Sequence, residues 1–413
     1  MNPVPRPALV LGLLTALNFL NYIDRYILPA VQPLVKKEFH PSDTALGALT
    51  TVFFVFYMCC APAIGFLADR KSRKMIITIG AIVWSGATLL TAVTHNFTEL
   101  LVRHTVVGVG EATFSLIAPA YIADLYPEER RGRVLALFYL AIPVGAALGY
   151  IIGGALGTTH GWRSPFYVCA VPGFLVALAF YFAGQEPKRG AKEAGLLTVE
   201  RTTFHGLLRN PAFWTATLGL AMMTFAMGGI SAWMPTFLER ERGIPLDKAN
   251  YYFGIITVID GFAGTAVGGW LGDLWLKRTR SAYYLLSALS MLLAIPGALF
   301  AFYGNSAWIF LSLAGAEFFL FLNTGPLNAA IVNSVAAPIR ATAIGVNLFT
   351  IHLLGDALSP TIIGAISDRS TLRLGFSVTL IALVFSAIIL FIGTRFAPPL
   401  SSEQQTNLAG ASA

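Results

Sequence analysis

The sequence predicts an all-α membrane protein with twelve transmembrane helices in two six-helix pseudo-repeats. Three observations lead to this fold class: 12% charged against 56% apolar residues, twelve apolar windows, and a segment that recurs in the second half of the chain. An average soluble domain has about 25% charged residues, so most of this surface is predicted to face lipid. The 413 residues leave room for that number of spans, since one span needs about 20 residues.

The predicted helices are apolar windows bounded by charged residues and by Pro, Gly or Asn. Six windows precede a polar stretch, Gln185–Asn210, and six follow it. They lie at residues 8–30, 45–68, 74–94, 98–122, 133–157, 165–184, 212–238, 249–273, 281–303, 307–331, 341–367 and 374–396. We therefore divide the chain into an N-terminal half (1–184), a cytoplasmic linker (185–211) and a C-terminal half (212–413).

The positive charges predict the orientation. With the N-terminus placed in the cytoplasm, 18 Lys and Arg residues fall on the cytoplasmic side and eight on the opposite side. Such an excess is typical of cytoplasmic loops. We expect a monomer in the plasma (inner) membrane with both termini in the cytoplasm. The net charge of +7 is spread over many short loops, so nucleic acid is not an expected partner.

Neither a metal nor a cofactor is expected. Cys59, Cys60 and Cys169 all lie in apolar windows, where cysteine behaves as a small hydrophobic residue. No nucleotide-binding sequence of the form G-x-x-x-x-G-K-[ST] occurs, so ATP is not expected to drive the protein.

The two halves show internal repetition. Asp43–Asp69 and Asp247–Asp273 have the same length, begin with Asp and end in G-x-L-x-D, and each is followed by a cationic turn. A second pair, PEERRGRVLALF and APIRATAIGVNLF, recurs at a similar offset. Membrane transporters are often built from such repeats, which favours a duplicated six-helix unit.

Specific motifs resemble a known family. The segment GFLADRKSRK (Gly65–Lys74) matches the G-x-L-x-D-R-x-x-R-[RK] signature of the major facilitator superfamily, and Gly269–Arg278 is a degenerate copy. Within that superfamily, four segments resemble the spinster family of lipid transporters: NYIDRY (Asn21–Tyr26), RHTVVGVGEA (Arg103–Ala112), LNTGPLNA (Leu322–Ala329) and HLLGDALSPTIIGAISD (His352–Asp368). The resemblance covers essentially the whole chain. It implies the major facilitator fold. Because the sequence has no long terminal extensions, we expect a compact bacterial member of the family.

Charged residues at bilayer depth are costly and need a partner or a function. In the superfamily fold the first and fourth helices are neighbours, so the resemblance implies that Asp24, Arg25, Arg103 and Glu111 form one water-accessible cluster. Poor hydration disfavours an ionised carboxyl group, which can then exchange a proton near neutral pH. We predict Asp24 and Glu111 as the proton-coupling pair, with Arg25 and Arg103 stabilising the anions or binding an anionic headgroup. The alternative is a permanent salt-bridge network that fixes the two helices.

The C-terminal half offers further candidates. By resemblance Glu317 lines the cavity, and Asn323 lies further along the same helix. Both are substrate-binding candidates, and the alternative for Glu317 is an ion pair with an arginine across the cavity in one state. His352 and Asp356 are spaced i, i+4 and share a helix face, which suits either a titrating pair or a structural hydrogen bond. Asp260 has no evident partner, and we weigh cavity and structural roles equally. The aromatic candidates for contact with an acyl chain are Tyr57, Trp233, Phe237 and Phe319.

A conformational latch is implied at the cytoplasmic ends of the helices. By resemblance, a carboxylate there bridges to a neighbouring helix in one state and releases in the other. The predicted gating residues are Asp69, Arg70, Arg73, Arg130, Arg133 and Asp273. The cations also suit simple anchoring at the cytoplasmic surface. The glycine stripe Gly145, Gly149 and Gly153 predicts close helix contact, which we interpret as a seam between the halves.

Together these patterns predict a secondary transporter that works by alternating access. We expect it to move an amphiphilic, lipid-like molecule of lysophospholipid or sphingoid type, coupled to protons. The first alternative is a proton-coupled carrier of a polar organic anion or drug, which the cavity arginines favour. An intramembrane enzyme is disfavoured because no G-x-G-D, G-x-S-x-G or H-E-x-x-H sequence occurs.

Overall fold

Twelve helices are long and apolar enough to cross a membrane in the computed structural model, which describes residues 7–187, 204–304, 306–335 and 339–398. They are α1 (Pro7–Phe39), α2 (Asp43–Arg70), α3 (Arg73–Thr91), α4 (Phe97–Leu125), α5 (Arg133–His160), α6 (Ser164–Ala183), α7 (Pro211–Arg240), α8 (Leu246–Leu276), α9 (Ala282–Tyr303), α10 (Ile309–Asn333), α11 (Thr342–Arg369) and α12 (Leu372–Phe396). The predicted number of spans is confirmed. Helix α1 extends to Phe39, beyond its predicted apolar window at residues 8–30. Charged residues limit the apolar window, but they do not interrupt the helix.

Polar side chains at the loop ends begin several helices. The Ser42 hydroxyl accepts a hydrogen bond from the backbone N–H of Ala45 at 3.1 Å, and the Asn96 amide oxygen accepts one from Glu99 at 2.9 Å. These caps satisfy N–H groups that have no partner within the first turn of a helix. Ser42 and Asn96 therefore mark in the sequence where α2 and α4 begin.

Four spans are interrupted in the described part of the chain, and in α12 the break lies at Phe376, between Leu372–Gly375 and Ser377–Gly393. The helical segments Glu128–Tyr139 and Ala141–His160 meet at Leu140, and α10 is broken at Asn323. In α11 a π-helical turn covers His352–Asp356, with Gly355 outside helical geometry. Broken helices leave backbone groups without their usual partners, and π turns often mark functional positions.

Contacts divide the chain into two compact units. The first consists of Met1–Leu196 with Ala232–Ile255, and the second of Leu197–Ser231 with Ile256–Ala413. The end of α7, the loop after it and the start of α8 thus pack with the first unit, although they belong to the second half by sequence. Residues 188–203 of the predicted linker lie outside the described residues.

The beginning of the linker is fixed to α3. The carboxylate of Glu186 accepts hydrogen bonds from the backbone N–H groups of Arg73 and Lys74, both at 2.9 Å, and from the Ser72 hydroxyl at 2.6 Å. A carboxylate at the N-terminus of a helix also interacts favourably with the helix dipole. This contact anchors the chain where it leaves α6.

The glycine stripe of α5 packs against α1 within the first unit. A Cβ atom added at Gly149 would lie 2.6 Å from the Ile23 carbonyl oxygen, and one added at Gly153 would lie 2.7 Å from the Ala30 Cβ. Our interpretation of this stripe as a seam between the halves is therefore wrong. The spacing of the glycines predicts that another helix packs closely against α5, but it does not show which helix.

Close packing of α8 against α10 yields a stability prediction. A Cβ atom at Gly268 would lie 1.7 Å from the Leu322 carbonyl oxygen, whereas one at Gly269 would have no atom within 4 Å. We expect Gly268→Ala to destabilise the protein by at least about 1–3 kcal/mol, because the helix backbone must shift. Gly269→Ala, which raises helix propensity, should be neutral or stabilising. Unfolding midpoints in detergent measure both, and equal midpoints would contradict this packing.

Candidate functional site

A buried ion pair joins α1 to α4 in the first unit. The Arg25 guanidinium donates to Glu111 Oε2 from Nη2 at 2.7 Å and from Nε at 3.1 Å, and Glu111 is fully buried. Among the described residues Glu111 Oε1 has no partner at hydrogen-bond geometry, although the buried amide of Asn21 lies close enough to interact with the carboxylate. One oxygen of this carboxylate is therefore paired with a cation while the other is left to accept a proton.

Aromatic rings surround the guanidinium. Its central carbon lies 4.9 Å from the ring centre of Tyr22, 5.2 Å from Phe53 and 5.7 Å from Tyr57. The negative face of an aromatic ring attracts a cation, so these rings stabilise Arg25 in addition to Glu111. The arrangement can retain the arginine if its carboxylate partner becomes neutral.

Asp24 faces a different helix. Its side chain is buried and accepts a hydrogen bond from the Thr88 hydroxyl of α3. Adjacent residues of a helix point about 100° apart, so Asp24 and Arg25 contact different neighbours. Asp24 and Glu111 are nevertheless close enough for their charges to interact. The first unit thus holds two buried carboxyl groups near one another and one guanidinium bound to Glu111.

Arg103 does not join this cluster. It forms an ion pair with Glu99 at 3.2 Å and donates to the Leu90 carbonyl oxygen, and no contact with Arg25 or Glu111 occurs among the described residues. The expected four-residue cluster is corrected accordingly. The neighbouring residue His104 takes the inner position: it is buried and stacks on Phe53 with ring centres 5.3 Å apart. The function predicted for Arg103 in substrate binding stays a prediction.

A second buried acidic site lies in the second unit, between α8 and α10. Glu317 is 5% exposed and its Oε2 accepts a hydrogen bond from the Thr257 hydroxyl at 3.1 Å. Asp260, one turn beyond Thr257, is 7% exposed and its Oδ2 has no hydrogen-bond partner. No ion pair of either carboxylate with a cation is found in the described residues. Glu111 is thus paired with an arginine, whereas Glu317 and Asp260 have no arginine or lysine partner in the described part of the chain.

The comparisons with known proteins agree with this architecture. Residues 14–360 match the family model of the Major Facilitator Superfamily. The chain belongs to that superfamily. Within it, protein spinster homolog 1 of Xenopus laevis is 36% identical over 88% of this chain and 73% of its own length. The homolog 1 of Homo sapiens is 34% identical over 88% and 74%. The chain is therefore a spinster-family transporter rather than an enzyme.

Two further proteins bear on function and fold. The sphingosine-1-phosphate transporter SPNS2 of Danio rerio is 35% identical over 88% of this chain and 76% of its own length. The crystal structure of a bacterial homolog to the human lysosomal transporter spinster, described as inward-facing and unoccupied, superposes with a TM-score of 0.86 at 26% identity, covering 95% and 98% of the two chains. The predicted family and the predicted fold class are both confirmed.

The π-helical turn of α11 carries the predicted histidine–aspartate pair of this spinster homologue. His352 Nδ1 lies 3.0 Å from both carboxylate oxygens of Asp356, as the i, i+4 spacing predicts. A Cβ atom added at Gly228 of α7 would lie 2.5 Å from the Asp356 Cβ, so α7 and α11 are in close contact here. The pair is partly exposed, and its role stays a prediction.

The remaining substrate-binding candidates differ in exposure. Trp233 and Phe237 are fully buried in the part of α7 that packs with the first unit, whereas Tyr57 and Phe319 are partly exposed. Asn323 is fully buried, and its amide nitrogen donates to the Leu320 carbonyl oxygen at 2.9 Å. Tyr57 and Phe319 are thus the candidates whose surfaces a ligand can reach without rearrangement, and all five roles stay predictions.

Several predicted gating residues are engaged within their own unit. Arg73 is buried and forms an ion pair with Asp124 at the end of α4, at 2.6 Å. Asp273 accepts a hydrogen bond from the Tyr283 hydroxyl at 2.9 Å, and Arg70 stacks on a ring of its own helix. Arg130 and Arg133 are both exposed. Their role in gating remains a prediction, because it concerns a second conformation.

Sequence reasoning missed several polar members of these sites. They are Asn21, Thr88, His104 and Thr257. Each is a polar residue inside an apolar window, which is a usable signal. The polar candidates predicted inside such windows are charged residues apart from Asn323 and His352, so they do not include these four.

Proposed function

We propose that this spinster-family protein is a proton-coupled secondary transporter that moves an amphiphilic molecule of lysophospholipid or sphingoid type by alternating access. The observation that carries the proposal is the buried Arg25–Glu111 ion pair with Asp24 close by. Ionisable groups inside a membrane protein generally mark substrate or proton pathways. The relative named as a sphingosine-1-phosphate transporter supports a lipid-like substrate.

Protonation supplies a switch in this proposal. When Glu111 is ionised, it holds Arg25 through two hydrogen bonds. Adding a proton to Glu111 removes the ionic attraction and weakens the contact with the guanidinium, which the surrounding rings still stabilise. Arg25 then becomes available to an anionic headgroup. Asp24, close enough to Glu111 to feel its charge, is the second proton carrier.

The second unit suits the cationic part of a headgroup. Asp260 and Glu317 have no ion-pair partner in the described residues, so an ammonium group would complete their interactions. Lysophospholipids and sphingoid bases with an amine carry such a group. Tyr57 and Phe319 present partly exposed aromatic surface of the kind that an acyl chain contacts. We retain Arg103 as a further candidate for the phosphate.

The orientation and the cytoplasmic latch are part of the same proposal. We place both termini in the cytoplasm because the cations on that side outnumber those on the other. The latch residues are those predicted at the cytoplasmic ends of α2, α4 and α8, where Arg73 already contacts Asp124. A protease added to sealed right-side-out vesicles should leave the termini intact, whereas cleavage there would reverse the assignment.

The substrate class is tested by transport competition. Purified protein in proteoliposomes should take up a radiolabelled lysophospholipid, and unlabelled sphingoid bases should compete. Small carboxylates test the alternative, a carrier of polar organic anions, which the Arg25 guanidinium favours. Competition by carboxylates without competition by lipids would overturn the lipid proposal. Empty liposomes are the control, because they measure the slow crossing of the bilayer by lysolipids without the protein.

A further inference from the structure

The segment Ala232–Ile255 connects the two contact units. It contains the end of α7, the loop after it and the start of α8, and it packs with helices of the first unit. The chain on both sides of this segment belongs to the second unit. Any rearrangement of one unit against the other must therefore either deform the two helices or detach this hairpin from α1, α2 and α5.

One buried carboxylate links the hairpin to the first unit. Asp43, the first residue of α2, is 2% exposed. The guanidinium of Arg240, the last residue of α7, donates to Asp43 Oδ2 at 2.6 Å and to Oδ1 at 3.1 Å. Lys36 of α1 donates to the same carboxylate. A bidentate arginine–carboxylate pair is among the stronger polar contacts in proteins.

Buried contacts line the hairpin below this pair. The Thr236 hydroxyl of α7 donates to the Gln32 side chain at 3.2 Å, and both residues are buried. The Asn250 amide of α8 donates to the Ala30 carbonyl oxygen at 3.0 Å. These contacts all join the hairpin to α1, so the hairpin is held by polar groups along its length.

The chemistry of the pair suits a contact that opens repeatedly. The Asp43 side chain is 3% exposed, whereas that of Arg240 is 30% exposed and already touches solvent. Breaking an ion pair around a buried carboxylate without replacing it is costly, but water that enters the opening rehydrates both charges. Lys36 lies on α1 and not on the hairpin, so it can stay on Asp43 when Arg240 departs with the hairpin. The carboxylate is then never left as an uncompensated charge. Arg240, at the end of its helix, can reach solvent.

We propose that Asp43 and Arg240 form an ion-pair clasp that fastens the α7–α8 hairpin to α1 and α2 and opens once in each transport cycle, with Lys36 as the counter-ion that remains. In the orientation assigned above, the clasp closes the external side. The inference rests on the proposed alternating access, and it adds a gate on the side opposite to the latch predicted from the motif after α2.

Labelling of a buried cysteine tests the clasp. Cys59, Cys60 and Cys169 are first replaced by serine, and Thr236→Cys supplies a reporter at a position that is 1% exposed. We expect Arg240→Gln to speed labelling by a membrane-impermeant maleimide about tenfold, the factor that about 1.4 kcal/mol produces. Arg240→Lys, which keeps the charge, should give an intermediate rate.

A neighbouring ion pair provides the matched control. Lys37 of α1 and Glu239 of α7 form another ion pair between the hairpin and the first unit, at 2.9 Å, but Lys37 is much more exposed. Lys37→Gln should leave the labelling rate of the reporter unchanged, since exposed pairs contribute little. A cysteine at Ser85, buried in α3, should stay unlabelled in every variant and so exclude unfolding. An unchanged rate in Arg240→Gln, or an equal increase in Lys37→Gln, overturns the clasp.

The assay separates this inference from the proposed function. It needs neither substrate nor a proton gradient, so a protein that fails to transport lysolipid still reports on the hairpin. A double-mutant cycle with Asp43→Asn adds a second criterion: the effects of Asp43→Asn and Arg240→Gln should not add, because both remove one interaction. Fully additive effects would show that the two residues act independently and would overturn the pairing.

Discussion

We expect Glu111→Gln to abolish the dependence of transport on a pH gradient while leaving exchange without a gradient measurable. The amide has nearly the shape of the protonated carboxyl group but cannot release a proton. A gradient of one pH unit supplies about 1.4 kcal/mol for each proton carried, so the parent should shift the substrate distribution about tenfold for each coupled proton. Proteoliposomes with a preset internal pH measure that shift.

Asp24→Asn should reduce the same pH-driven shift, because an amide cannot carry the proton. The asparagine oxygen can still accept the hydrogen bond of Thr88, so the local packing should be kept. Glu99→Gln is the matched control: this carboxylate lies on the same helix as Glu111 but near the surface. A Glu111→Gln or Asp24→Asn variant that remained as pH-dependent as the parent would disprove its residue as a proton carrier. The buried cluster would then be a structural network that fixes α1 to α3 and α4.

The second large effect concerns the substrate headgroup. We expect Glu317→Gln to raise the KM for lysophosphatidylethanolamine by about 10- to 100-fold, because a hydrogen bond to a charged group contributes about 1.5–3 kcal/mol. Lysophosphatidylglycerol, which has no amine, should be transported as before. Initial uptake rates for the two lipids measure this difference in one preparation.

Asp260→Asn should change the same ratio in the same direction, because its unpaired Oδ2 is the second acceptor. The comparison between two lipids is its own control, since misfolding reduces the transport of both. Equal losses for the two lipids would assign Glu317 and Asp260 a structural role. No change for either lipid would remove the ammonium from the proposal and leave Arg25 as the headgroup contact.

Sequence patterns within one helix correctly predicted the spans and the contacts within that helix. The twelve spans follow from apolar windows between charged residues, because burying unpaired charges in lipid is costly everywhere along a span. The contact between His352 and Asp356 follows from their spacing on one helix. The family follows from motifs that cover most of the chain.

The candidate site was predicted only in part. The sequence marks Arg25 and Glu111 as expensive charges, and the structure pairs them across α1 and α4. The sequence does not show which of Arg103 and His104 faces the inside of the unit. The two residues are adjacent in one apolar window, and adjacent side chains of a helix point about 100° apart. Only the packed helices show which of the two faces inward.

The sequence by itself determined that this protein spans a membrane twelve times, that its halves are related, and which charges are out of place in lipid. The tertiary structure decided which of those charges meet. Asp43 and Arg240 are 197 residues apart in the chain, and each by itself reads as an ordinary residue at a helix end. Spacing along one helix sets direction within that helix, whereas contacts between helices depend on how whole surfaces pack.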